Sequence, residues 1–241
     1  MPEHHVWAYL MFPIWAVAIA GLGLAAATVG WRVMAPMLDD PLVRLMEILG
    51  RGAFGFVIFL LALTLASVRE NFLETESTIG REALELRQLV REIQSDPADP
   101  RAPLVAAYAM ATMDRDWPAL ASSRPSLAPE ASAALAALRA ECAGSQLAAV
   151  GRIEDLREAR LRHARSVAPT MFWTVIAAVL AIAAFLHGRT PQTRGQRIAL
   201  GLYLSSFGLV IALIREFERP FWGWVQAGAE PIAEVAKLVG N

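Results

Sequence analysis

GAFGFVIFLLALTLASV, residues 52–68, runs without a proline into RENFLETESTIGREALELRQLVREIQ, residues 69–94. The first part holds no charge over 17 residues, the short end of what crosses a bilayer as a helix. One apolar stripe passes through both parts: Leu61, Leu65, Val68, Phe72, Ile79, Ala83, Leu86, Val90 and Ile93. Steps of three, four or seven put these residues on one helix face. A second line, Thr64, Ser67, Asn71, Glu74, Thr78 and Arg81, starts in the apolar half and continues outside it. At about 1.5 Å per residue the helix reaches roughly 64 Å, about twice a bilayer's hydrocarbon core. It enters a membrane and also supports a domain beside it.

The whole chain agrees with that reading. Its 241 residues are 56% hydrophobic and 19% charged, with positive mean hydropathy, the composition of a membrane protein. The net charge of −1 gives no bulk attraction to nucleic acid, and none is expected as a partner. Positive charge is almost all arginine, Lys237 being the one lysine. A single cysteine, Cys142, forms no disulfide within the chain, and no basic residue adjoins it in sequence to mark it as reactive. The sequence has no HExxH, GxSxG, Walker loop or zinc-spaced His/Cys set, so no catalytic residue, metal or cofactor is expected.

Residues 6–30 are uncharged and long enough to cross. The leader MPEHH lacks Lys and Arg, so a retained anchor is expected over a cleaved signal, with Pro13 kinking the helix. In the following loop PLVRLMEIL, 41–49, reads as a short helix on the membrane surface. SDPADP, 95–100, ends the long helix. Residues 103–114 read as a second soluble helix, and Pro118 and Pro125 stop regular structure after it. A third helix is expected from Pro129 to about Val167, with Leu135, Leu138, Cys142, Ser145, Ala149, Ile153 and Leu156 facing inward. It ends in a basic band, Arg152 to Arg165, whose charges would pair with Glu154, Asp155 and Glu158 on the same helix. Two more spans follow, 167–186 and 198–214, joined by a positive turn. Trp222 and Trp224 suit the headgroup belt, and residues 231–239 an amphipathic tail. In the run between the last span and those tryptophans, Arg215 would pair locally with Glu218.

The expected fold is thus an all-α membrane protein: four transmembrane helices with a helical hairpin inserted between the second and third. Its parts are 1–69, the first two membrane helices; 70–166, the extramembrane hairpin; 167–217, the last two membrane helices; and 218–241, an interfacial segment and tail. Sidedness is contested: arginines of the short loops 31–51 and 187–197 put those loops inside, while Arg69, Arg81, the 152–165 band, Arg215 and Arg219 favour the reverse.

Four patches resemble the bestrophin-like domain-of-unknown-function family of bacterial membrane proteins. They are VRENFLETESTIGREALELRQLVREI (68–93), DRDWPAL (114–120), LREARLRHARSVAPTMFW (156–173) and REFERPFWGWV (215–225). The motif residues are Trp117, Pro118, Arg219, Pro220, Phe221 and Gly223, and the resemblance covers most of the chain from about residue 52. It implies four membrane helices with a helical insertion, in a bacterial inner membrane. By likeness to bestrophins it also implies a homo-oligomeric, channel-like assembly whose second span lines an anion pore.

Two function classes fit. In the first, Thr64, Ser67 and Asn71 line a pore, with Leu60 and Phe56 as an apolar constriction that gates by dewetting. The same polar residues also serve ordinary helix packing, or bond back to their own helix. Arg160, Arg162 and Arg165 would attract anions or hold acidic membrane lipid. In the second class the protein is a non-conducting scaffold or sensor whose hairpin binds a protein partner.

Overall fold

The computed structural model describes residues 3–34, 39–93, 99–187 and 193–240. Among them every regular element is helical. The order is α1 (Glu3–Met34), α2 (Asp40–Ile93), α3 (Ala102–Ala111), a π turn (Thr112–Asp116), α4 (Trp117–Leu120), α5 (Pro129–Glu141), α6 (Gly144–Arg165), α7 (Thr170–His187), α8 (Arg194–Phe217) and α9 (Glu230–Gly240). Four helices, α1, α2, α7 and α8, are long and apolar enough to cross a membrane. Residues 188–192 of the turn 187–197 lie outside the described residues.

α2 starts earlier than its sequence suggests. The Asp39 carboxylate accepts a hydrogen bond from Leu42 N at 3.1 Å, an N-terminal cap, and Pro41 occupies the first turn, where no N–H is needed. Residues 41–49 are therefore the first turns of α2 and not a separate surface helix. With no later proline, its 54 residues extend about 81 Å at 1.5 Å per residue. The apolar stripe is its buried face: every member is buried except Leu65, which is half-buried.

The chain forms two compact units. The first comprises Met1–Val68 and Ala168–Glu216. Here α1 packs along α7, and small residues set the spacing. A Cβ on Gly30 would stand 2.2 Å from the Phe185 carbonyl oxygen, and one on Gly208 2.6 Å from Ala16 Cα. Membrane helices lack a hydrophobic drive toward one another, so close backbone approach supplies the dispersion contact that holds them. Phe54 anchors an aromatic cluster, edge-on to His187 at 5.5 Å and to Tyr203 at 5.2 Å. Ile14, Val17, Leu22, Met171, Ile182 and Leu202 remain exposed, as lipid-facing side chains would be.

The second unit comprises Arg69–Val167 and Phe217–Asn241. Ile79, Leu86, Leu89 and Ile93 of α2 meet Val105 and Tyr108 of α3, Leu138 of α5, Val150 and Ile153 of α6, and Ile232 and Val235 of α9. Contacts Asn71–His163, Glu82–Arg160 and Glu85–Arg152 follow opposite orders along α2 and α6, so the two helices are antiparallel neighbours. The tail helix α9 packs on α3.

The helix expected from Pro129 to Val167 is broken. Cys142 and Ala143 are extended, and Gly144 sits at φ +56°, a left-handed conformation that favours glycine. The break resets the helical phase, which is why Ser145 is exposed and Leu156 only half-buried. Pro118 does not end regular structure either. It stands just after the π turn, through which the helical backbone continues from α3 into α4.

Candidate functional site

The outward face of α2 is the first candidate. Over 52–68 its exposed residues include Gly52, Phe56, Phe59, Leu63 and Ser67, at steps of three and four. Phe54, Val57, Leu61 and Val68, opposite, are buried. The five pore-lining candidates divide across this boundary. Phe56 and Ser67 are exposed, and Leu60 is half-buried. Thr64 is buried and its hydroxyl donates to Leu60 O at 2.7 Å, a bond back to its own helix. Asn71 is half-buried against α6: His163 Nδ1 lies 2.9 Å from Asn71 Oδ1, and Asn71 Nδ2 donates to His163 O at 3.4 Å. An amide oxygen only accepts, so this pairing assigns the imidazole proton to Nδ1. Burial lowers the pKa of His163 from its ordinary value.

In the second unit the structure gathers a buried ionic cluster. Arg160, on α6, is fully buried. Its Nε is 2.7 Å from Glu82 Oε2, outside hydrogen-bond geometry, while its Nη2 donates to Glu82 Oε1 at 3.1 Å. The same Nη2 lies 3.5 Å from Asp116 Oδ2. Asp116 also takes a two-pronged grip from Arg157, Nε to Oδ2 at 2.7 Å and Nη2 to Oδ1 at 2.9 Å. Arg157 reaches Ala128 O and the Ser132 hydroxyl, both at 2.9 Å. Tyr108 donates to Glu82 Oε1 at 2.7 Å. Two carboxylates against two guanidiniums leave the cluster balanced, and the bonds offset much of the cost of burying charge. Burial raises the pKa of Glu82, opposed by Arg160 and by the Tyr108 hydrogen bond. Tyr108 is likewise pushed well above its ordinary value by burial.

The π turn positions this cluster. Its wider turn carries the chain from α3 into α4 and turns Asp116 fully inward. Trp117 follows, with the Arg160 guanidinium 4.9 Å from its ring centre, a cation–π contact. Trp117 Nε1 donates to Ala227 O at 3.1 Å, and its ring meets Phe221 edge-on at 5.5 Å. So the motif residues Trp117 and Phe221, 104 positions apart by subtraction, share one site. Pro220 and Phe221 are buried, Arg219 is exposed, and Gly223 takes φ +104°. The turn closes through Ala227 N donating to Pro220 O at 2.7 Å.

The basic band therefore separates. Arg160 faces inward, its charge balanced by Glu82 and Asp116, whereas Arg162 and Arg165 are exposed. Its ion pairs cross between helices: Arg152 with Glu85 and Arg157 with Asp116, while Glu154 pairs with Arg139 of α5. Arg215 lies 5.1 Å from the Trp173 ring centre. Cys142 does have a basic neighbour, Arg101, yet burial raises the thiol pKa, which opposes thiolate chemistry. Glu82, Arg157, Tyr108 and Asp116 were absent from the sequence candidates. The available signal was charge in register with an apolar stripe, Glu82 between Ile79 and Leu86, and Arg157 and Arg160 among Ala149, Ile153 and Ala164. Among the described residues no group of three or more His, Cys, Asp or Glu is placed to hold a metal.

Comparison with curated proteins and with solved structures gave no match. The family model for the bestrophin-like domain matches residues 17–232, which takes in the second part of the first span and the loop before residue 52 as well as the motifs. This membrane protein belongs to the bestrophin-like domain family.

Proposed function

We propose that the protein forms a homo-oligomeric pore for anions in the bacterial inner membrane, lined by the outward face of α2. The carrying observation is that face itself. Over 52–68 the helix buries one side in its own chain and leaves Phe56, Phe59, Leu63 and Ser67 in line. Gly52 and Gly55 border it with nothing within 4 Å of an added Cβ, so the backbone stays open to a helix from a second copy. A ring of copies would then set Phe56 and Leu60 as an apolar constriction, with Ser67 as a hydroxyl donor beyond it and Thr64 and Asn71 at its flank. Family membership supports the assembly without fixing what it does. Residues 70–166 form the helical insertion between the second and third spans, and Arg162 and Arg165 supply positive potential beside it.

Halide flux into liposomes carrying the purified protein tests the reading. Wild type is expected to conduct, and Phe56→Ala to raise the flux several-fold by widening an apolar constriction. Sealed vesicles under several ionic conditions, together with a monomer in detergent, would replace the pore with the non-conducting scaffold that binds a protein partner. Conduction left unchanged by Phe56→Ala would remove this constriction but not the pore.

A further inference from the structure

A cavity of about 210 Å³ opens in the second unit, lined by residues that include Ser123, Arg165, Val167, Arg219, Phe221 and Trp222. Its two arginines differ from most of those nearby. Arg152, Arg157 and Arg160 are all matched by carboxylates, whereas neither Arg165 nor Arg219 has one within ion-pair distance among the described residues. Both are nevertheless held in place. Arg165 donates from Nε and Nη2 to Pro125 O at 3.1 and 3.0 Å, and the Arg219 guanidinium lies 5.5 Å from the Trp222 ring centre. Two oriented, uncompensated guanidiniums facing one hollow form a receptor for a phosphate, since their planar donor forks match its oxygens.

Chain connectivity bounds the distance of this hollow from the span ends. Consecutive spans cross in opposite directions, so the start of α7 and the end of α8 emerge on the same side of the membrane. Arg219 follows the end of α8 by two residues, and Arg165 precedes the start of α7 by five. At about 3.6 Å of chain per residue, their backbones lie within about 7 Å and about 18 Å of those ends. The reach of Arg219 falls within the headgroup zone, where an amphipathic tryptophan such as Trp222 also settles, and Arg165 lines the same cavity. Val167, exposed at 43%, gives the lining an apolar edge suited to the start of an acyl chain. We propose that this cavity binds the phosphate of an anionic phospholipid headgroup, with Arg165 and Arg219 as its cationic walls. The site does not depend on conduction.

Native mass spectrometry of the full-length chain in non-ionic detergent tests it, with titrations of phosphatidylglycerol, phosphatidylcholine and inorganic phosphate. Wild type is expected to retain phosphatidylglycerol over phosphatidylcholine by roughly tenfold, the scale of one or two charge-assisted hydrogen bonds. The double variant Arg165→Ala/Arg219→Ala should lose that preference. Because Arg219 belongs to the family motif, Ser123→Glu is the second probe: it places a like charge in the cavity from an exposed position, and its unfolding temperature should match wild type. Equal retention of the two lipids by wild type, or undiminished phosphatidylglycerol retention in Ser123→Glu, overturns the proposal. Displacement of the lipid by millimolar inorganic phosphate overturns it too, by assigning the cavity to the free anion.

Discussion

Asp116 is the residue whose loss should be felt most in the second unit. It is fully buried and holds Arg157 by two charge-assisted bonds, and it accepts from Ala128 N at 2.8 Å. Removing one partner of a buried pair strands the other, so Asp116→Ala should cost about 3 kcal/mol in chemical unfolding. Adding Arg157→Ala should cost less than the two single losses summed, by about 1 kcal/mol or more; strict additivity would show that the cluster is not one unit. His163 gives a second expectation. Its folded pKa is depressed, so the unfolded chain binds the extra proton and stability rises with pH between the folded and the unfolded value. The contribution is present above the usual histidine range near 6.5 and is lost as pH falls through the folded value. Thermal unfolding of wild type should decline more from pH 7 toward pH 5.5 than that of His163→Gln, and parallel curves would remove this role. On sequence these residues were only partly legible. Apolar steps identified the buried stripe of α2, all but Leu65, but Glu82 drew no reading of its own and Arg157 was matched to acids on its own helix, because partners 78 and 41 positions away leave no local trace.

At the scale of elements, the helices legible in sequence were those with a long uncharged run. Their ends were not. α2 began at the Asp39 cap and absorbed the loop helix, since Gly50 and Gly52 weaken a helix by only about 1 kcal/mol each and packing overrode them. The break at Cys142–Gly144 was concealed for the opposite reason: alanine-rich flanks favour helix on both sides, and a single left-handed glycine is a conformation, not a composition. Close packing in the membrane unit makes a sharper claim. Gly208 lies so near Ala16 and Trp15 that Gly208→Val should destabilise the detergent-solubilised protein by about 1–3 kcal/mol, the cost of overpacking a filled interface. Gly201→Ala is the control, its added Cβ being 3.5 Å from a Leu24 methyl, ordinary contact. If both variants unfold with wild type, the helices are not held at this distance.

For the whole molecule, the unclothed face of α2 sets the expectation. Gly55 has open space around it, so Gly55→Leu should leave the unfolding temperature of the separate chain intact while lowering the oligomer fraction in size-exclusion light scattering. A chain that remains fully associated would move the contact between copies elsewhere. Composition disclosed the membrane class and the four apolar helices at once, because bilayer thickness imposes a length that few other environments demand. What the proposed ring of copies would admit depends on a surface shared between them, which the pattern of one chain does not spell out.

The tail helix α9 has a consequence for how the protein is made. Ile232 and Val235 lie in the same core as Ile79, Leu86 and Tyr108, although α7 and α8 are threaded between these segments in the chain. A ribosome working at about 5–20 residues per second delivers α2 through α6 first, then both remaining spans, and only then the piece that seals them. Until that moment the α3 surface that α9 covers stays open, as a nascent chain's unfinished edge would. Closure of the helical core therefore waits on synthesis of α7 and α8, which precede α9 in the chain.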